Sequence, residues 1–276
     1  MPRTEPVTGN MQERMQSVRQ NAGAWFSTVL TGAIAVWAFH GLQFNFSHLS
    51  TGIARQSSQL VHLFPLNRGD WFYDLALMRT LWDPLQATMQ MAIVGTVVGA
   101  LLAFPVSFAA ARTGYFPRPI SNLVKTLLNV ARAVPTLVYA LVAVSLVGLG
   151  SPAGASAIAF VTFISLGKLY AEGLESVAPG PIEAVRAAGG NSVQVFIFAM
   201  LPQVLPLYLS TMLYSLEYNI KDSFIVGIVG AGGLGFSLQN AINLYKWQDA
   251  GVIIFFLVVL VNLVDYISYR VRKSFS

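Results

Sequence analysis

Three glycines near the end of the chain have the spacing of a nucleotide-binding turn. Gly230, Gly232 and Gly235 satisfy the pattern G-x-G-x-x-G, in which missing side chains let the backbone approach a pyrophosphate. That chemistry also needs a soluble βαβ unit and an acidic residue about 20 residues further on. Asp249 comes too early, and the glycines lie between two long apolar segments. They therefore predict a closely packed, short re-entrant segment rather than a nucleotide site.

Other residue patterns for catalysis or metal binding are also absent from the sequence. The phosphate-binding loop G-x-x-x-x-G-K-[ST] does not occur, so the chain does not bind and hydrolyse ATP in the usual way. His40, His48 and His62 are scattered and do not have the spacing of a zinc site. No serine and aspartate arrangement indicates catalysis. The chain is predicted not to be an enzyme and to bind no cofactor itself.

The composition indicates an integral membrane protein. Of 276 residues, 55% are hydrophobic and 11% are charged, and the mean hydropathy is +0.60. Soluble proteins average about 25% charged residues. The net charge of +5 is explained by basic residues beside membrane spans and does not require a nucleic-acid partner.

Apolar runs predict six transmembrane helices, each able to cross about 30 Å of hydrocarbon. The predicted spans are residues 24–44, 84–110, 126–149, 153–177, 192–217 and 249–269. The predicted organisation is a cytoplasmic tail (1–23), a leading helix with an outer interfacial segment (24–83), and a core of five spans (84–276).

Local patterns refine two of these segments. Asp83, Pro84 and Gln86 have the pattern of an N-cap, a first-position proline and a capping-box partner, which predicts the start of the second span. Gly95 and Gly99 give that span a small-residue face for close packing. Between the first two spans, an amphipathic pattern predicts an interfacial helix, with a docking surface for an outside partner as the alternative.

Basic residues predict the side of each loop. With the loop 178–191 inside, the cytoplasmic positions hold Arg3, Arg14, Arg19, Arg112, Arg118, Lys125, Arg186, Arg270, Arg272 and Lys273. The outer positions hold Arg55, Arg68, Arg79, Lys221 and Lys246. This asymmetry follows the positive-inside rule for six spans with both termini in the cytoplasm.

Away from the span ends, four charged residues lie inside the predicted spans, where a charge costs about 2.5–3.5 kcal/mol at the centre of the bilayer. They are Arg132, Lys168, Glu172 and Asp265. Lys168 and Glu172 are four residues apart and can pair along one helix, while the other two can find partners or extend to the inner interface. The alternative is that these groups line the closed inner half of a transport pathway or tie the loop 178–191 to the spans.

The loop 178–191, with the sequence APGPIEAVRAAGGN, is polar and rich in turn residues. Pro179 and Pro181 bracket Gly180 and interrupt any helix that arrives from the preceding span. Pro181 suits the first turn of a new helix, and Glu183 is predicted to lie in that turn, next to the positive end of the helix dipole.

The second half of this loop predicts how the new helix ends. Ile182 and Val185 form a small apolar stripe, and Gly189 is predicted to end the helix with a positive φ. Asn191 and Gln194 have the spacing of a capping box for the next helix. The loop therefore predicts a short helix on the membrane surface between two spans, available to a partner.

The same residues resemble a family signature. Glu183-Ala184-Val185, followed by Gly189 and Leu201-Pro202, resembles the EAA loop of ABC importer permeases: E-A-A, three residues, G, nine residues, I-x-L-P. Val185 replaces the second alanine and Ala199 replaces the isoleucine. In that family the loop enters a cleft on the ATPase subunit. The resemblance implies that the coupling residues are Pro179, Gly180, Pro181, Ile182, Glu183, Ala184, Val185, Arg186 and Gly189.

Two further segments extend the resemblance over about residues 80–273. Arg132-Ala133-Val134-Pro135 resembles the R-x-(I/V)-P element of these permeases, and residues 230–235 resemble an element of methionine-type and phosphonate-type members. With LPQVLPLYLS at 201–210, the loop looks most like that of phosphonate and phosphite permeases. The implied fold is a type I ABC importer permease, with five core spans after one leading helix.

This resemblance also implies the surroundings of the chain: the bacterial inner membrane and its lipid, a second permease copy, two cytoplasmic ATPases that hold ATP and Mg, and an extracytoplasmic binding protein. A homodimer is the simplest arrangement because one chain offers one coupling loop. The implied cargo is a phosphonate, phosphite or related phosphorus oxyanion. The alternatives are a methionine-type or other small-solute importer, a secondary transporter, or a membrane scaffold without transport.

The candidate pathway or gate residues are Gln86, Gln90, Arg132, Glu217, Lys221, Gly230, Gly232 and Gly233. Lys221 and Lys246 flank the glycine run at the predicted outer mouth, and the predicted helix start at Asp83-Pro84 directs N–H groups there, which favours an anion. Glu217 and Asp222 oppose this attraction unless they are paired.

Overall fold

A computed structural model describes residues 11–41, 50–54, 57, 75–113 and 116–275. The chain divides into two compact units, residues 1–58 and 59–276. The first unit contains helix α1, Met11–Gly41, which begins inside the predicted N-terminal tail, and residues 50–54 are also helical. Most of the predicted interfacial segment lies outside the described residues.

The second unit consists of helices in its described part. In chain order these are α2 (Leu75–Ala110), α3 (Arg118–Arg132), α4 (Thr136–Val147), α5 (Ser151–Glu175), α6 (Pro179–Ala187), α7 (Ser192–Val195), α8 (Leu201–Val226), α9 (Gly233–Asn243) and α10 (Trp247–Phe275). A wide π-type turn, Phe196–Met200, joins α7 to α8, and a second, Gly227–Ala231, follows α8.

These helices confirm an all-α membrane protein. Among the described residues, four helical stretches are long and apolar enough to cross a bilayer: Arg79–Ala110, Ser151–Glu175, Ser192–Ala231 and Trp247–Val271. The pair α3 and α4 makes a fifth if it forms one bent span. Helix α1 is not among them, so the sixth span stays a prediction.

The third predicted span, residues 126–149, is wrong as a single helix. Helices α3 and α4 meet at an angle of 88°, with Pro135 between them. Pro135 has no N–H to continue a helix and disfavours helical geometry at the preceding residue. Arg132, which the sequence placed inside a span, therefore lies in the last turn of the separate amphipathic helix α3.

The predicted start of the second span is also wrong. Helix α2 begins at Leu75, so Asp83 and Pro84 lie within it and Asp83 is not an N-cap. Leu81 is buried and Leu85 packs against the same apolar cluster, which holds the helix on both sides of the proline. Because the backbone at Asp83-Pro84 is helical, it offers no helix N-terminus to an anion.

Helix α2 packs closely against α5 through its glycines. A Cβ atom at Gly95 would lie 2.6 Å from Ile158 Cγ2, and one at Gly99 would lie 2.6 Å from Thr162 Cβ. Neither position can hold a larger residue without separating the helices, because real side-chain atoms do not approach that closely. The predicted small-residue face is confirmed.

The fifth span is longer than the predicted 192–217. The helical run continues through Val226, so Lys221 lies inside α8 rather than in an outer segment. The wide turn Phe196–Met200 comes just before Pro202, whose missing N–H cannot close a regular helical turn.

Candidate coupling helix and membrane cavity

Helix α6 forms the predicted exposed helix between two spans. It runs from Pro179 to Ala187 with Ala178 as its N-cap, and only Ile182 and Val185 are half-buried while the other side chains are exposed. Because the helix starts at Pro179, Glu183 is its fifth residue, so the prediction that Glu183 lies in the first turn is wrong. Its distance from the N-terminus weakens any interaction with the helix dipole.

The C-terminal end of α6 follows the predicted geometry. Gly189 has φ of +83°, which glycine adopts without strain, and Gly190 N donates to Val185 O at 2.9 Å. The Asn191 side chain accepts from Gln194 N at 2.9 Å, while Asn191 N donates to Gln194 Oε1 at 2.8 Å. Both halves of the predicted capping box are therefore present.

Polar contacts fix the segment from which α6 extends. Glu175, the last residue of α5, accepts from Lys125 Nζ at 3.0 Å and from Arg112 N at 2.9 Å. Ala178 N donates to Gln203 Oε1 at 3.1 Å. The sequence predicts Lys125 only as a residue of an inside loop and carries no signal for Glu175, because contacts between residues 50 positions apart leave no local pattern.

A cavity of about 550 Å³ lies in the second unit, on the side of the α3–α4 bend. It is lined by Ala131, Arg132, Val134, Pro135, Thr136, Leu137, Tyr139, Val161, Thr162, Ile164, Ser165, Leu169, Tyr214, Ser215, Tyr218, Asn219, Asp222 and Ile225. Its volume is within the range of small-molecule sites. Apolar walls carry a few polar groups, which is the arrangement expected of a solute pathway through a helical membrane protein.

Arg132 supplies the positive charge of this cavity. Its side chain is exposed at the C-terminal end of α3, where a cation is favoured by the helix dipole. No described residue forms an ion pair or a hydrogen bond with its guanidinium. The guanidinium donors are therefore available to an anion in the cavity.

Two buried polar residues of α8 also line the cavity. Asn219 is 3% exposed and donates to Thr96 Oγ1 and to Thr162 Oγ1, both at 2.8 Å, so it joins α8 to α2 and α5. Asp222 is 5% exposed, and its Oδ2 has no hydrogen-bond partner among the described residues. No local sequence pattern indicates Asn219, because its partners lie on other helices.

The other predicted gate residues lie away from this cavity. Gln86 and Gln90 are exposed on α2. Lys221 Nζ lies 3.4 Å from Glu217 Oε1, as predicted, and 3.7 Å from Asp265 Oδ2. The sequence predicts Lys221 on the outer side and Asp265 near the inner face. Because the two side chains are in contact, they lie at the same depth, so the two predictions are wrong as a pair. Of the eight candidate residues, Arg132 alone lines the cavity.

The glycine run packs tightly against its neighbours, as predicted. Gly230, Gly232 and Gly233 all have positive φ values, of 98°, 84° and 71°. Leu234 N donates to Thr88 Oγ1 at 2.8 Å, and a Cβ at Gly233 would lie 2.6 Å from that same oxygen. The run is therefore a structural connection between α8 and α9 in which glycine is required by both conformation and space.

Comparison with known proteins agrees with this architecture. Residues 95–274 match the family described as the inner membrane component of binding-protein-dependent transport systems. The chain is 36% identical to the phosphite transport system permease protein PtxC of Stutzerimonas stutzeri over 74% of each chain. It is 31% identical to the putative phosphite transport system permease protein HtxC of the same organism, over 89% of this chain and 84% of that one.

A solved structure shows the same fold. The inward-facing MetNI methionine ABC transporter aligns with 74% of this chain and 99% of its own, with a TM-score of 0.65 and 23% identity. At that identity the likeness shows the fold alone. The family match, the relatives and the packed helices agree: this chain belongs to the family of inner membrane components of binding-protein-dependent transport systems.

Proposed function

We propose that the chain forms the membrane passage of an ATP-driven importer for phosphite, a phosphonate or a related phosphorus oxyanion. The observation that carries this proposal is the Arg132 guanidinium on the wall of the 550 Å³ cavity, which has no ion-pair or hydrogen-bond partner among the described residues. A guanidinium presents donors in a planar fork that matches the oxygens of a phosphorus oxyanion. The similarity to a phosphite permease supports the same cargo.

The rest of the cavity suits passage rather than tight binding. Hydroxyl groups of Thr136, Ser165, Ser215 and Tyr218 line it and offer neutral donors. Asp222 contributes a carboxyl group on the same lining. One cationic and one acidic group keep the net charge of the lining low, so an anion can enter and also leave, which conduction requires.

The assembly around the chain follows from the single coupling helix. We infer that two copies of the chain pair in the inner membrane and that each α6 docks on one cytoplasmic ATPase, which holds ATP and Mg. A binding protein delivers the cargo from outside, and both termini lie in the cytoplasm. Closure of the ATPases moves the α6 helices and switches the cavity between outward and inward access.

A methionine-type importer is the second candidate, and one observation favours it. Asp222 and Arg132 line the same cavity, so a zwitterionic amino acid could place its ammonium group near one and its carboxylate near the other. The shared fold with the methionine transporter does not decide between the two cargoes, since its identity is 23%.

Uptake by the complete transporter tests the cargo. Vesicles containing permease, ATPase and binding protein are offered phosphite, methylphosphonate and methionine in turn, with and without ATP. We expect ATP-dependent accumulation of a phosphorus compound, and we expect Arg132→Gln to reduce it at least tenfold. Arg118→Gln, at the exposed start of the same helix, is the matched control and should transport normally. Accumulation of methionine and of no phosphorus compound would contradict the proposal.

A further inference from the structure

Coupling helix α6 is joined to the membrane helices by a very short connection. Only Ser176, Val177 and Ala178 separate the end of α5 from the start of α6. Ser176 Oγ donates to Gly173 O at 2.8 Å, which fixes the first of these residues to α5. With so little free chain, a displacement of α6 is imposed directly on the groups that Glu175 and Ala178 contact.

One contact leads from this connection to helix α3. Lys125 Nζ lies 3.1 Å and 3.0 Å from the two carboxylate oxygens of Glu175, and the two side chains are 19% and 27% exposed. Arg112 N donates to the same carboxylate at 2.9 Å. Three hydrogen bonds and partial burial distinguish this pair from exposed surface pairs, which contribute little.

Further contacts on both sides of Lys125 hold helix α3 against its neighbours. Ser121 Oγ donates to Ala111 O at 3.2 Å, and Leu128 packs against α5 where a Cβ at Gly167 would lie 3.5 Å from Leu128 Cδ1. Arg132 follows Lys125 by seven residues, about two helical turns or 10 Å along the axis. One continuous helix, α3, therefore connects the Lys125–Glu175 contact to Arg132, the cation of the cavity.

A second contact leads from the same connection to helix α8. Gln203 Oε1 accepts from Ala178 N at 3.1 Å, and Gln203 Nε2 donates to Ala199 O at 2.7 Å, so its amide is fixed at both ends. Helix α8 continues from Gln203 to Tyr218 and Asp222, which line the cavity. Two of the helices that bring polar groups to the cavity, α3 and α8, are thus connected to the segment from which α6 extends.

We propose that Glu175, through Lys125, and Gln203, through the backbone of Ala178, are positioning residues that transmit displacement of α6 to α3 and α8, two of the helices that line the cavity. This inference rests on the proposed role of α6 as the ATPase-coupling helix. Neither residue touches the cargo. Their contacts make α3 and α8 move when α6 moves. Without these contacts, ATP hydrolysis continues but transports less cargo per ATP.

Charge reversal with rescue tests the Glu175 contact. The complete transporter in vesicles is compared for the wild type, Lys125→Glu, Glu175→Lys and the double exchange, and cargo molecules accumulated per ATP hydrolysed are measured with methylphosphonate. We expect each single change to lower that ratio at least about fivefold, the lower end of allosteric coupling, and the double exchange to restore most of it. A merely structural role would change the amount of complex, not the ratio.

A matched control lies on α5 itself. Lys168 and Glu172 form an ion pair at 3.8 Å within one helix, and among the described residues neither has a polar partner on another helix, so exchanging their charges disturbs no such contact. We expect the Lys168→Glu and Glu172→Lys variants to keep the wild-type ratio. If Lys125→Glu blocks assembly, Lys125→Gln removes the ion pair without placing two carboxylates together and should show the same lowered ratio.

Different results of these vesicle experiments would contradict this inference and the proposed function. Wild-type vesicles that accumulate methylphosphonate, with a Lys125→Gln ratio equal to that of the wild type, would overturn the inference alone. Failure of the double exchange to restore the ratio would also overturn it. Wild-type vesicles without any ATP-dependent uptake of phosphorus compounds would instead contradict the proposed function.

Discussion

Tyr170 and Tyr208 bind each other twice across the interface of α5 and α8. The Tyr208 hydroxyl donates to Tyr170 O at 2.8 Å, and the Tyr170 hydroxyl donates to Tyr208 O at 3.3 Å. Their rings stack with centroids 4.0 Å apart, and both residues are 4% exposed. The pair therefore fixes the relative position of two helices on either side of coupling helix α6.

Removing one hydroxyl of this pair should lower the stability of the permease. Tyr208→Phe keeps the stacked ring but leaves the Tyr170 carbonyl without this donor, which costs about 1 kcal/mol. We expect a lower thermal unfolding midpoint for the purified permease in detergent. Tyr269→Phe, on an exposed tyrosine of α10, is the control and should leave the midpoint unchanged. Equal midpoints for the two variants would show that the paired hydroxyls contribute nothing.

Alanine substitutions at two glycines of the loop 178–191 should distinguish the effect of backbone conformation from the effect of limited space for a side chain. A Cβ at Gly180 or at Gly189 meets no atom within 4 Å, but only Gly189 has a positive φ, of +83°. Gly189→Ala should therefore cost about 1–2 kcal/mol of backbone strain and misplace α6, while Gly180→Ala should be neutral. ATP hydrolysis stimulated by the binding protein, and transport, should fall together in Gly189→Ala only.

Asparagine at Gly189 provides the matching rescue, because asparagine tolerates a positive φ better than alanine does. We expect stimulated ATP hydrolysis by Gly189→Asn to exceed that of Gly189→Ala. If both variants behave like Gly180→Ala, backbone conformation at this position does not control coupling.

The hydroxyl of Thr96 should contribute more to the unfolding stability of the permease than its methyl group does. Thr96 Oγ1 accepts from Asn219 Nδ2 at 2.8 Å in a fully buried position. Thr96→Val keeps the side-chain shape and removes the acceptor, for which we expect a loss of about 0.6 kcal/mol in unfolding stability, the average for such bonds between membrane helices. Thr96→Ser keeps the acceptor and should retain more of this stability. The reverse order of the two unfolding midpoints would contradict this role of the hydroxyl.

Features that depend on neighbouring residues could be predicted from the sequence. The capping box of Asn191 and Gln194, the positive φ of Gly189 and the close packing at Gly95 and Gly99 were all visible as local patterns. Each depends on backbone chemistry within a few residues or on the absence of a side chain. The position of the coupling helix follows from the same information.

Features that depend on contacts between distant segments could not be predicted. The 88° bend at Pro135 requires an amphipathic helix to be held against α2 and α5, and the apolar composition of residues 126–149 resembles a straight span. The contact of Lys125 with Glu175 and that of Lys221 with Asp265 join segments far apart in the chain. Hydropathy and local spacing carry no information about such pairs, so Arg132 alone of the cavity residues is among the predicted pathway or gate residues.

The most direct test of the account is the side of the membrane that α6 occupies. The chain has no cysteine, so Gly180→Cys introduces a unique thiol on an exposed residue of α6, and Ser57→Cys introduces one in the first unit. We predict that an impermeant thiol reagent labels Gly180→Cys only in inverted vesicles, that bound ATPase blocks this labelling, and that Ser57→Cys is labelled from outside. Labelling of Gly180→Cys from outside intact cells would contradict the coupling role, because no cytoplasmic ATPase could reach α6.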